Sequence, residues 1–346
     1  MSSEQRRALR IALSFTASFV AAELIRRDLQ LTFLAPLVAS ALACGQKPPA
    51  RVLVAIPIVA WLLVAAAGIA LQFLSREPIV LALLQLWVFW LGFTLMRQPA
   101  TQTLGLITLL VFAIVPQSLI KGPELSADLA RWFAMNFALA AVSEWFTRRV
   151  LPGSAPPASA APPLMAPMAA AACLLLAVIL AAAMQLPAPG AIIVGIIIVL
   201  RANGGGASHV IMDRLVAALL GGVMAVAVWE VIWVSPSLPV LAASVLFAAW
   251  LLASRIAAGG PDVGIAAKSL NVLAVLIGEG FSVFYEDSDD RIWTRIAGVV
   301  IGLLYVALIV DIARRRAFRR GLMLAGKHST RSSAVHVAKG HADAGG

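Results

Sequence analysis

The sequence predicts an all-α polytopic membrane protein with about twelve transmembrane helices, arranged as two parallel six-helix repeats. Three observations lead there. Of the 346 residues, 61% are hydrophobic and only 13% are charged, whereas a soluble domain carries roughly 25% charge and about half apolar residues. Apolar runs follow one another along nearly the whole chain, close to the about 20 residues that about 30 Å of hydrocarbon requires. Landmark residues also recur at nearly one offset: Pro78 and Pro239, Trp90 and Trp250, Arg97 and Arg255, Trp132 and Trp293, and Arg51 and Arg214 lie 158 to 163 residues apart, in the same order. Five such pairs argue for a duplicated six-helix unit. Six is even, so both copies enter the membrane in one direction, related by an axis along the membrane normal.

Spans are expected near 10–25, 29–45, 51–74, 78–96, 101–120, 130–147, 167–186, 189–203, 213–234, 239–254, 268–283 and 292–312. The first has the layout of a signal peptide, but with so many spans behind it an uncleaved helix is the better reading. The polar breaks SREP, RQPA, KGPELSAD, VSPSLP and YEDSDD separate spans, several through a proline that cannot donate a helical hydrogen bond. Residues 1–150 form the first repeat and 168–312 the second. Between them, LPGSAPPASAAPPLMAP (151–167) is Pro/Ala-rich and nearly charge-free, a cytoplasmic linker expected to be extended. The basic tail, 313–346, is too poor in apolar residues to form a core and is expected to be disordered.

The net charge of +10 does not indicate nucleic-acid binding, because the basic residues sit mostly in short loops and in the tail. With the N-terminus inside, 20 of the 27 Lys and Arg are cytoplasmic, which predicts that both termini are cytoplasmic. Cys44 and Cys173 lie far apart in apolar runs and read as small hydrophobes rather than a disulfide. His328, His336 and His341 lack metal-ligand spacing, and no metal or cofactor is expected. Neither HExxH nor GxSxG occurs, and nothing matches the phosphate loop GxxxxGK[ST]. The chain is therefore expected to be neither an enzyme nor an ATP-driven pump.

Several polar residues have structural explanations. Glu144 with Arg148, and Asp311 with Arg315, have i,i+4 spacing at span ends, and Glu23 with Arg27 is similar. Trp132, Trp145 and Trp293 read as interfacial anchors, while the deeper Trp61, Trp87, Trp90 and Trp250 read as core packing. Gly298 and Gly302 form a GxxxG helix contact.

Other polar residues resist that explanation. Glu230 interrupts AVAVWEVIWV and Glu279 interrupts LAVLIGEGFSV, with no basic residue three or four positions away. A charge at mid-span costs roughly 2.5–3.5 kcal/mol on insertion scales. Each acid must find a partner on another helix, face water, or be protonated, so both are candidates for proton coupling. Their first-half counterparts, near Gly68–Ile69 and Ser118–Leu119, are uncharged. The second and eighth spans are the shortest, and each is interrupted, by Pro36 and by Gly190 and Gly195. Short or broken segments at matching places in two halves point to a transporter's site. The eighth runs into RANGGGASHVIMDR (201–214). There Arg201, Asn203, His209 and Arg214 combine with a positive helix N-terminus to make an anion attractor. Arg51, behind GQKPPAR, is the first-half analogue. The alternative is a cytoplasmic turn whose arginines obey only the positive-inside bias.

The stretches FLAPLVASALACGQKPPARVL (33–53) and AIIVGIIIVLRANGGGASHVIMDRLVAALLGGVMA (191–225) share one plan: a span, a polar Gly- or Pro-containing loop, then an arginine opening a helix rich in small residues. This plan resembles the fusaric-acid-resistance, or aromatic acid exporter, superfamily of bacterial inner-membrane proteins, and a short uncharacterised branch of it most of all. The resemblance implies efflux of aromatic carboxylic acids, often with a periplasmic membrane-fusion partner, and carries over Arg214 and Arg51 as motif positions. Ala217-Ala218 stand where that family usually has Gly-Thr, and the family's larger cytoplasmic domain is reduced here to a short linker.

The expected function is secondary, proton-coupled efflux of small organic carboxylic acids across a bacterial inner membrane. The expected partners are the bilayer, a small organic anion, a membrane-fusion protein and further copies of the chain. The alternatives are an anion channel and a non-transporting membrane component that assembles with a fusion protein.

Overall fold

A computed structural model describes residues 2–25, 32–44, 50–74, 76–98, 101–119, 125–152, 166–183, 193, 196–197, 207–260 and 262–280. All lie in the first of two units into which the chain divides, Met1–Leu303. Among them the regular structure is helical: α1 (Ser3–Ile25), α2 (Leu34–Cys44), α3 (Ala50–Leu74), α4 (Pro78–Leu95), α5 (Gln102–Leu119), α6 (Leu125–Val150), α7 (Pro167–Ala183), α8 (Ala207–Val234), α9 (Leu238–Ala258) and α10 (Val263–Gly280). Residues 153–165 of the linker, the tail, the expected span 292–312 and nearly all of 189–203 lie outside the described residues.

Helix ends follow local chemistry. α1 begins well before its apolar run because Ser2 and Gln5 cap it reciprocally. The Gln5 backbone N–H donates to Ser2 Oγ at 3.1 Å, and the Ser2 backbone N–H donates to Gln5 Oε1 at 3.0 Å, a capping box that satisfies first-turn donors. Pro78 and Pro239 stand in the first turns of α4 and α9, where a missing N–H costs nothing. α9 stops at Gly259, whose φ of 77° suits a residue without a Cβ.

Five described helices are long and apolar enough to cross a membrane: Ser3–Ile25, Ala50–Leu74, Pro78–Leu95, Val216–Val234 and Leu238–Ala258. Shorter apolar helices cover Leu34–Cys44, Gln102–Pro116, Pro167–Ala183 and Val263–Gly278. α1 packs against α2, α6 and α9, and α2 also meets α6 and α10. α3 packs on α5 and α6, and α4 on α5 and α7. α8 and α9 both pack on α10 and on each other.

The core between these helices is built from Phe15, Phe19, Phe33, Phe89, Phe133 and Phe137, all fully buried. Among the described residues a close approach joins α10 to the start of α2, where a Cβ on Gly278 would run into the Phe33 backbone. Beside it the Thr32 hydroxyl donates to the Gly278 carbonyl at 2.6 Å. Ser40 then donates to Asn271 Oδ1 at 3.1 Å, linking the same two helices again.

The outer faces are as apolar as the core. Phe73, Leu83, Val223, Trp233 and Phe247 are exposed, and extensive apolar exposure marks a surface that meets something other than water. Three of the tryptophans expected in the core belong to this face. Trp61, Trp87 and Trp250 are 47%, 56% and 41% exposed. The reason is that a helix in a bilayer has apolar residues on both sides, so hydrophobicity alone does not separate the core face from the lipid face. Trp132, expected as an anchor, is buried.

Candidate functional site

α2 has 11 residues, about 16 Å at 1.5 Å per residue, and so ends short of a full bilayer crossing. The last carbonyls of any helix lack intrahelical partners and carry the negative end of its dipole. Here two arginines from other helices supply the missing donors. Arg148 of α6 donates from Nη2 to the Leu42 carbonyl at 3.2 Å, and Arg10 of α1 donates from Nη2 to the Ala43 carbonyl at 3.4 Å. Since α1, α2 and α6 all touch one another, the three meet in one place.

Glu144 completes the cluster. Its Oε1 accepts from Arg148 Nε at 2.5 Å. The side chain is 0% exposed and Arg10 only 1%. Glu144 is the strongest charge of opposite sign acting on Arg10, and Arg148 and Arg7 are like charges acting on it. Glu144 is paired with Arg148, so Arg10 and Arg7 beside it leave positive charge in excess. Satisfaction is also incomplete. Arg10 Nε and Nη1 and Glu144 Oε2 are buried without a hydrogen-bond partner. A guanidinium has five N–H donors, and three of Arg10's are idle. Each unmade buried donor costs about 1–3 kcal/mol.

Further polar groups are buried on the same two helices. Ser14 lies one turn beyond Arg10 on the same side of α1, and its buried Oγ has no partner. On α6, Asn136 is fully buried, its Nδ2 donating to the Trp132 carbonyl at 2.9 Å while Oδ1 is unpartnered. The pair Glu144–Arg148, read from sequence as closing a helix at the end of a span, is thus buried, with Arg10 as a further charge beside it. What the spacing could not reveal is Arg10, which lies in a run of arginines that the positive-inside bias already explains. The available signal was RIALSFTAS, an arginine followed at four and eight positions by serine within an apolar helix.

The sequence-predicted residues are placed as follows. Arg51 is exposed in the first turn of α3. Arg201 and Asn203 lie outside the described residues. His209 and Arg214 are in α8 and Glu279 is near the end of α10, but their side chains lie outside the description. Glu230 is exposed on α8. None of these is brought into the Arg10 cluster by a described contact.

A concavity of about 300 Å³ lies between α3 and α6 and is lined by Trp61, Val64, Ala65, Gly68, Ile69, Gln72, Ala130 and Arg131. It is apolar and opens on the outer face. Arg131 is already engaged by Asp128 at 3.5 Å. Among the described residues no group of three His, Cys, Asp or Glu could hold a metal ion.

Fold and cluster together define a helical membrane protein with a charged group of residues buried in its interior. No family model, curated protein or solved structure matches the chain.

Proposed function

We propose that the chain is a secondary exporter of small organic carboxylic acids, aromatic ones included, in a bacterial inner membrane, driven by the proton gradient. The observation that carries this reading is the buried excess of positive charge at Arg10, with three idle donors. An ionised arginine is retained inside an apolar bundle at high cost, and an organic anion in transit is a partner that would offset it. Arg201, Asn203, His209, Arg214 and Arg51 would gather the anion at the cytoplasmic mouth, and Glu230 and Glu279 would exchange protons. Both termini are cytoplasmic in this reading, and a membrane-fusion protein is the expected partner on the far side.

A duplicated architecture of twelve spans, two parallel six-helix units, supports transport, because such repeats rock against each other around a central site. Two features favour it. α3 buries Ile56, Ala60, Val64, Ala67 and Gly68, while α8 buries Ala217, Gly221, Ala225, Val228 and Trp229, each 161 positions later. The contacts also correspond. With α1 matching α7 and α4 matching α9, the contact of α1 on α9 becomes that of α7 on α4, and α3 on α5 becomes α8 on α10.

The test is reconstitution of the full chain into liposomes with benzoate trapped inside. An imposed pH gradient should drive benzoate loss, and a protonophore should stop it. Benzoate loss indifferent to the gradient would leave the channel reading. No loss at all would leave the non-transporting component.

A further inference from the structure

We propose that the concavity between α3 and α6 is a phospholipid site, with one acyl chain lying along α3 and a primary-ammonium headgroup held by Arg131 and Asp128. On α3 the lining residues Trp61, Ala65, Gly68 and Gln72 follow one another at three or four positions, so they form one stripe along the helix. Ala65 and Gly68 are small, which leaves the hollow between the larger Trp61 and Gln72. Ala130 and Arg131 of α6 make the other wall. Such a site needs the bilayer and not transport.

Its dimensions and its ends select the occupant. Trp61 stands near the middle of α3 (Ala50–Leu74) and Gln72 in its last turn. Between them the helix rises about 16 Å at 1.5 Å per residue, close to half of about 30 Å of hydrocarbon, which is one leaflet. The polar side chains, Gln72 and Arg131, are at the end nearer the helix terminus, and the rest of the lining is apolar. That is the division of an amphiphile, with the tail running from the interface to the bilayer centre. A volume of about 300 Å³ is at the small end of ligand pockets. It suits one chain, not a helix of a second protein, which is about 10 Å across with its side chains.

The polar end carries both signs. Arg131 Nη1 stands 3.5 Å from Asp128 Oδ1, and the two side chains are 79% and 58% exposed. A pair so exposed contributes only about 0–1 kcal/mol, so both charges remain open to a ligand. A guanidinium forks onto a phosphate, and a carboxylate accepts from an ammonium N–H. Phosphatidylethanolamine presents both groups. Phosphatidylglycerol lacks the cation, and the quaternary cation of phosphatidylcholine has no N–H. A free carboxylate meets Asp128 as a like charge, which separates this hollow from a site for the exported acid.

Native mass spectrometry of the purified full chain in detergent tests this, with the three phospholipids added on identical acyl chains. Wild type should hold one phosphatidylethanolamine, at least about threefold more tightly than either of the others, the size of one exposed ion pair. Arg131→Gln should weaken all three, because each carries a phosphate. Asp128→Asn should bring the three level. Both side chains are exposed, so neither change threatens the fold. Ala65→Phe, which puts bulk into the hollow, should displace the lipid. Equal binding of the three lipids by wild type overturns the site, as does binding that Arg131→Gln leaves unchanged. A preference for phosphatidylglycerol overturns the headgroup pairing. Dimers in place of lipid adducts would overturn the site by giving this face to a second copy of the chain.

Discussion

Arg148 donates to Glu144 across one helical turn at 2.5 Å, and the carboxylate it holds is wholly buried. The same spacing on a solvated helix face contributes only about 0.3–0.5 kcal/mol. Burial changes the consequence of breaking it. Glu144→Ala leaves Arg10 and Arg148 with no counter-charge, and removing one partner of a buried pair typically destabilises by about 3–5 kcal/mol. We therefore expect Glu144→Ala to lower the thermal midpoint in detergent by many degrees, and Glu144→Ala with Arg148→Met to recover part of that loss. Equal midpoints for Glu144→Ala and wild type would mean that water reaches the cluster.

Glycines with different surroundings give a second prediction. Gly278 has the Phe33 backbone where a Cβ would go, so Gly278→Ala must push α2 and α10 apart. A shift of that kind costs about 1–3 kcal/mol, and it would also strain the Thr32 bond to the Gly278 carbonyl. Gly222 has nothing within 4 Å of its virtual Cβ, so Gly222→Ala should gain up to about 1 kcal/mol from helix propensity. Chemical unfolding of the two variants should move in opposite directions. A shared direction would contradict the close crossing.

What the sequence made legible follows from what hydrophobicity encodes. It revealed helices and their breaks because the bilayer demands long apolar runs and interrupts them with Pro, Gly and charge. Pro78 and Pro239 marked two helix starts directly. It did not reveal which side of each helix faces the protein, and so Trp61, Trp87 and Trp250 were expected inwards and lie outwards. Nor could spacing within one helix disclose that Arg10 and Arg148 would meet at neighbouring carbonyls of α2, because that arrangement depends on where α2 ends between α1 and α6. Of the candidate site, the sequence spacing pointed to Glu144 and Arg148, while Arg10 was marked only by the serines four and eight positions after it.

The outward tryptophans yield a third prediction. In a bilayer the exposed Trp87 should meet acyl chains and the buried Trp229 should not. Variants retaining a single tryptophan, the other eight replaced by Phe, separate the two. Lipids brominated along the chain should quench the fluorescence of the Trp87 variant strongly and that of the Trp229 variant weakly. Equal quenching would mean that Trp87 is covered, by a second copy of the chain or by another protein.

Glu230 is the most exposed test of proton coupling. It lies on an exposed face of α8 with Val223, Ala227, Val231 and Val234, the one charged residue in that row. A carboxylate facing hydrocarbon costs roughly 2.5–3.5 kcal/mol at mid-span, less if it is protonated or reaches water. Glu230→Gln removes the charge and keeps the shape. If the carboxylate takes up and releases a proton during transport, the variant should unfold no more easily than wild type, yet its benzoate efflux should lose its dependence on external pH. Glu279→Gln should behave alike if the two acids share the task. Should both variants keep the wild-type pH profile, proton coupling would belong to another group, and Glu144 would be the next residue to replace.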